Sequence, residues 1–170
     1  MRSNVSEVGS LVEVYLKSLQ QCIEADNWPA ALCLALSLPD MAGTVESPRG
    51  EPRQRYMDWF NAWVGPKYRT QLLVGQQAFL SGADCYGLKC AMLCQDVPEG
   101  LHRHDVRIFD RFKFTVSEAD HGARRSGNLY LHAGRFCRDL MAGGEAWLKS
   151  AQRDPKKTAM LGRTLKIESA

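Results

Sequence analysis

The sequence has no apolar run long enough to cross a bilayer. The longest strongly apolar stretch, Ala30 to Leu38, covers nine residues, where a spanning helix needs about 20. Glu7, Glu13 and Lys17 interrupt the apolar residues near the N-terminus, so no signal peptide is expected. There is no CxxC pair, Walker loop, Rossmann fingerprint, HExxH or GxSxG, and no internal repeat. These absences argue against knuckle-type zinc sites, P-loop nucleotide chemistry, dinucleotide binding, zincin proteolysis and nucleophile-elbow hydrolysis. Net charge is also scarce, at +3. Residues 153 to 170 hold all of it, with Arg153, Lys156, Lys157, Arg163 and Lys166 against Asp154 and Glu168. That segment reads as a solvated basic C-terminal tail that follows one domain over residues 1–152.

What is present is helical periodicity. At 170 residues, 45% hydrophobic and 24% charged, the chain fits a single globular domain with a sizeable core. Val5, Val8, Leu11, Val12, Tyr15, Leu19, Cys22 and Ile23 follow helical spacing, with Asn4 and Glu7 as a capping pair. Asn27 caps a second helix, "WPAALCLALSL", which is apolar all round and therefore central, and which the spacing predicts to stop before Pro39. A Gly/Pro-rich surface loop is expected over residues 42 to 53. In "RYMDWFNAWV", Tyr56, Trp59, Phe60, Trp63 and Val64 form a stripe. Such a stripe can stack bases, but beside two apolar helices it reads as core. Gly65-Pro66 ends this helix, and residues 67 to 80 read as a connection.

Ser81 and Asp84 then open "GADCYGLKCAMLC", residues 82 to 94. Rotated by 100° per residue, it has no solvated face, so other elements should enclose it. Gly87 is expected to mark a close approach, since a mid-helix glycine costs roughly 1 kcal/mol against alanine. Lys89 is the one cation in this run. An enclosed ammonium either reaches water, meets a carboxylate, or stands in a cleft to hold an anion such as phosphate. Cys90 and Cys94 share a face that Cys85 does not. A zinc set of Cys90, Cys94, His102 and His104 can be drawn, but its spacing is wrong for a zinc knuckle. All six cysteines lie in apolar patterns, so reduced, packed thiols in a cytoplasm are expected, with no metal and no cofactor.

Downstream, Val106, Ile108, Phe112, Phe114 and Val116 keep period two, with Asp110 as the exception, and "LYLHA" follows a turn-rich stretch, so a small β-hairpin is expected. A last helix is predicted from about Gly134 to Gln152, with Phe136, Leu140, Gly144, Trp147 and Leu148 inward and Gly143-Gly144 either bending it or admitting a neighbour. His102, Arg103, His104, Arg124 and Arg125 are candidates for an anion- or nucleic-acid-binding patch beside Lys89.

The stretch "FLSGADCYGLKCAMLCQD" resembles the signature helix of a family of uncharacterised bacterial proteins, which reads Leu, Arg-Cys, two or three apolar residues, then His-Glu. "ALSLPDMAG", "RYMDWFNAWV", "FDRFKF" and "LYLHAGRFCRDL" resemble further blocks of that family, in the same order, across roughly residues 5 to 150. Its Arg-x4-His pattern is in turn similar to the motif of HEPN domains, helical dimers that include metal-independent ribonucleases. The resemblance implies a histidine that moves protons at the ribose and a cation that steadies the phosphate. Here Lys89 stands at the arginine position, Cys94 at the histidine and Gln95 at the acid. Lysine lacks the bidentate fork, and a thiol is a poor substitute for imidazole. The resemblance thus implies Lys89 and Cys94 as the catalytic positions, in a chain that looks like a degenerate member.

The sequence therefore predicts a mainly α, single-domain bundle of about five helices with one small β-hairpin. The expected function is a non-catalytic, cytoplasmic protein-binding module, an inhibitor or assembly factor of a bacterial or phage-related system. Its partner would be a second copy or another protein, with no membrane contact. The alternative is a HEPN-like RNA-binding protein or weak metal-independent endoribonuclease.

Overall fold

A computed structural model describes residues 10–72, 75–93 and 111–162, excluding the side chains of the strand residues flanking positions 73–74. The described chain holds six α-helices and two small sheets: α1 (Leu11–Glu24), α2 (Trp28–Glu46), α3 (Pro52–Trp63), β1 (Arg69–Leu72), β2 (Gly75–Ala78), α4 (Gly82–Leu93), β3 (Phe112–Thr115), β4 (Arg124–Arg125), β5 (Asn128–His132), α5 (Ala133–Ala151) and α6 (Pro155–Leu161). None of these helices is long and apolar enough to cross a membrane. The protein is mainly α, with a small β element.

Helix α2 is the centre, packing against α1, α3, α4 and α5. Its N-cap is Asn27, as the sequence indicates, and Ala31, Leu32, Ala35, Leu36, Leu38 and Ala42 are buried along one broad side. It does not stop before Pro39. The helix runs through that residue to Glu46, so the expected loop over 42 to 53 shrinks to residues 47–51. Pro39 has no N–H to offer the carbonyl of Ala35, a defect that costs about 3 kcal/mol in a helix interior. Burial of Leu38, Pro39, Ala42 and Val45 opposes that cost. The buried Tyr56 hydroxyl also donates to the neighbouring Leu36 carbonyl at 2.9 Å.

The caps set the other boundaries. Ser10 and Glu13 form the capping box of α1, whereas Asn4 and Glu7 lie outside the described residues. Ser81 and Asp84 bond reciprocally at the start of α4, with Ser81 N–H donating to Asp84 Oδ2 at 2.9 Å and Asp84 N–H to Ser81 Oγ at 3.2 Å. Gly82 accounts for the next position. Its N–H donates to Asn61 Oδ1 at 2.9 Å, and a Cβ there would lie 2.6 Å from the Met57 carbonyl oxygen. Thus α4 meets α3 backbone to backbone at residue 82. Helix α5 is closely packed at Gly144 against side chains rather than backbone, a Cβ there lying 2.5 Å from Leu38 Cδ2. Phe136, Leu140, Trp147 and Leu148 of α5 are buried as expected, and Trp147 meets Trp59 of α3 edge-on at 6.4 Å.

The strands depart from the sequence reading. Within residues 67 to 80, expected as a connection, Arg69–Leu72 and Gly75–Ala78 pair as the antiparallel strands β1 and β2. The predicted pairing of "FKF" with "LYLH" exists, but as a parallel ladder, Phe112↔Leu129 to Thr115↔His132. The antiparallel partner of β5 is the two-residue β4. Period-two alternation reports that a strand is half buried and carries no information about its direction. The basic tail is also partly structured. Asp154 caps α6, Leu161 is buried, and Lys157 Nζ reaches Glu46 Oε1 at 2.7 Å. Apolar Leu161 decides this against the net charge.

Candidate functional site

Lys89 lies on α4 with its side chain 14% exposed, and its Nζ donates to Asp40 Oδ2 at 2.9 Å. Asp40 follows Pro39 on α2, so the pair exists because α2 continues past the proline. Two rings complete the cage, with the ammonium 4.7 Å from the centroid of Tyr86 and 5.6 Å from that of Tyr56. The rings themselves meet edge-on at 5.4 Å. Burial alone would pull the ammonium pKa down. The hydrogen bond and charge of Asp40 outweigh it, and the pKa lies above the ordinary lysine value. Lys89 is thus a charged lysine with its carboxylate already supplied from within the chain.

Asp40 was legible in principle. Helix α2 carries only two acids, Asp40 and Glu46, and α4 carries only one cation. Opposite charges on two largely apolar, neighbouring helices have few partners besides each other.

Cys94, His102, Arg103 and His104 lie outside the described residues. Cys22, Cys33, Cys85, Cys90 and Cys137 are thiols rather than disulfides. Burial pushes the Cys85 thiol well up and the Cys137 thiol up to about 12, so both stay protonated at neutral pH. Among the described residues, no group of three His, Cys, Asp or Glu side chains is arranged to hold a metal.

Arg124 and Arg125 sit on β4, and no bond among the described residues joins them to Lys89. As neighbours on a strand they face opposite ways. Arg125 pairs in register with Asn128 and Arg124 with Leu129. Leu129 and Leu131 are buried, whereas Asn128 and Tyr130 are partly exposed. The outer face of the sheet therefore carries Lys113 beside Tyr130, with the Arg125 guanidinium 5.6 Å from the Tyr130 centroid. Asp120 forms an ion pair with Arg125 and holds it there.

A second polar cluster, not anticipated from sequence, joins the β5–α5 corner to the turn before β4. His132 is buried and caps α5, its Nδ1 accepting from Arg135 N–H at 3.0 Å. The ring proton then sits on Nε2, 3.1 Å from the Val116 carbonyl. His132 N–H in turn donates to His121 Nδ1 at 3.2 Å. Burial, assisted by Arg135 and opposed by Asp139, lowers the His121 pKa. Asp139 accepts from Lys67 Nζ at 2.7 Å and from Tyr68 Oη at 3.0 Å. Both imidazoles are used as acceptors for backbone N–H groups, which is architecture rather than proton transfer. The signal in the sequence was weak, because a histidine N-cap has no distinctive spacing. No family model, curated protein or solved structure matches this chain.

Proposed function

We propose that this chain is a helical binding module without catalytic activity, acting as an inhibitor or assembly factor through contact with a second copy or another protein. The observation that carries this reading is the Lys89–Asp40 pair at 2.9 Å. A cation meant to steady a phosphate must be open to solvent. The Lys89 side chain is 14% exposed, and its charge is answered internally against two tyrosine rings. Releasing it to a substrate would take from Asp40 its ion-pair partner, at the cost that accompanies a broken, partly buried ion pair.

The test pairs an activity with an association. Purified protein should leave single-stranded RNA intact in chelator, and its self-association or complex should persist when salt is raised, as for a contact carried by apolar area. Metal-independent RNA cleavage by the unaltered protein that is lost in Lys89→Met would overturn the reading.

One observation favours RNA binding as a second reading. The Lys113–Tyr130–Arg125 row places an aromatic ring between two cations on an open sheet face, a combination suited to an unpaired base and its phosphates.

A further inference from the structure

We propose that the outer face of the β3–β5–β4 sheet is a stacking platform for single-stranded RNA, with Tyr130 under a base and Lys113 and Arg125 on the flanking phosphates. This inference rests on the RNA-binding reading and deepens it. Adjacent strands lie about 4.8 Å apart, so β3 to β4 spans about 10 Å, with Tyr130 on the middle strand and a cation on each outer one.

The backbone favours access to the ring. Two residues oppose Tyr130 on the β4 side: Gly122 N–H donates to its carbonyl and its own N–H donates to the Ala123 carbonyl, both at 2.8 Å. Gly122 has φ +80°, a conformation open to glycine and strained for residues with a Cβ, and a bulge of this kind twists the edge and re-aims neighbouring side chains. The main-chain neighbours on that side are therefore a glycine and an alanine, and the side chain that reaches the ring from β4 is the exposed Arg125. Phe112, Leu129 and Leu131 occupy the opposite face and are buried, so the platform rests on core.

The charge fits a polyanion. Lys113 and Arg125 are exposed, Arg124 stands at the open edge, and the acid bound into this group is Asp120. A duplex would not suit it, since paired bases hide the faces that a tyrosine stacks on. An acidic peptide would use the cations and have no need of the ring.

The test uses the full chain, a fluorescent single-stranded oligouridylate, the same sequence as a duplex, and polyglutamate. The unaltered protein should bind the single strand more tightly than the duplex or polyglutamate. Tyr130→Ala should weaken that binding roughly 10- to 100-fold, with Tyr130→Phe close to the unaltered protein. Lys113→Gln, at an exposed position where folding is not at issue, should lower the slope of log affinity against log salt by about 0.7. If the unaltered protein does not bind the single strand, both the RNA-binding reading and the platform fall. If it binds and neither Tyr130→Ala nor Lys113→Gln changes binding, RNA sits elsewhere and the platform alone falls. Preference for polyglutamate, insensitive to Tyr130→Ala, would also overturn it.

Discussion

Removing Asp40 should harm this protein more than removing Lys89, the partner that looks catalytic. Asp40→Ala strands an ammonium whose side chain is 14% exposed, while Lys89→Met leaves a carboxylate that is 36% exposed. Fully buried pairs cost about 3–5 kcal/mol when one partner is lost, and exposed pairs contribute about 0–1 kcal/mol. The Lys89 side falls between them, so Asp40→Ala should cost about 2–3 kcal/mol. Methionine keeps most of the lysine stem against Tyr56 and Tyr86, and water reaches Asp40. The loss in Lys89→Met should be about 1 kcal/mol, mainly the cation–ring contact and the weaker half of the pair. Urea unfolding of both single variants and the double variant measures this, and the cycle should give a coupling of about 1–2 kcal/mol. Equal losses in the two single variants, or a coupling near zero, would refute the reasoning. The raised Lys89 pKa fixes the pH range. A lysine whose folded pKa exceeds its unfolded value stabilises fully below about 10.4 and loses that effect only as pH rises through the folded value, so the cycle should be unchanged between pH 6 and 9.

Gly82→Ala should destabilise more than Gly144→Ala, measured by thermal or urea unfolding. The obstruction at 82 is Met57 backbone at 2.6 and 2.8 Å, whereas at 144 it includes the movable end of Leu38. Overpacking of this kind costs about 1–3 kcal/mol, with Gly82 at the upper end. Below neutral pH, stability should fall through His121. Its pKa is lowered by burial and Arg135, so the unfolded chain binds the proton more readily. The effect is complete above about 6.5 and is lost as pH drops towards the folded value. Urea midpoints at several pH values should show this step in the unaltered protein and lose it in His121→Asn; an unchanged step in that variant would assign it elsewhere.

The sequence by itself determined the helices and their inward faces. Apolar residues at helical spacing can be buried on one side only, and capping pairs such as Ser81 with Asp84 act within four residues, so both are local. That is why the burial of α2, the stripe Tyr56–Trp59–Phe60 and the inward face of α5 were legible, whereas α4, expected to be enclosed, leaves Ala83 and Leu93 exposed. The tertiary structure decided what local rules cannot weigh. Pro39 is a helix breaker until burial of Leu38, Pro39, Ala42 and Val45 outweighs the missing N–H, and only then does Asp40 come to face Lys89. The direction of β3 against β5 and the docking of α6 through Leu161 depend on contacts between distant segments. The candidate site divides the same way. A lone cation on an enclosed helix is visible in the sequence, but whether it faces a ligand or a carboxylate depends on a residue 49 positions away. The sheet-face row is likewise a product of register, since Lys113, Arg125 and Tyr130 share a surface only once three strands are paired.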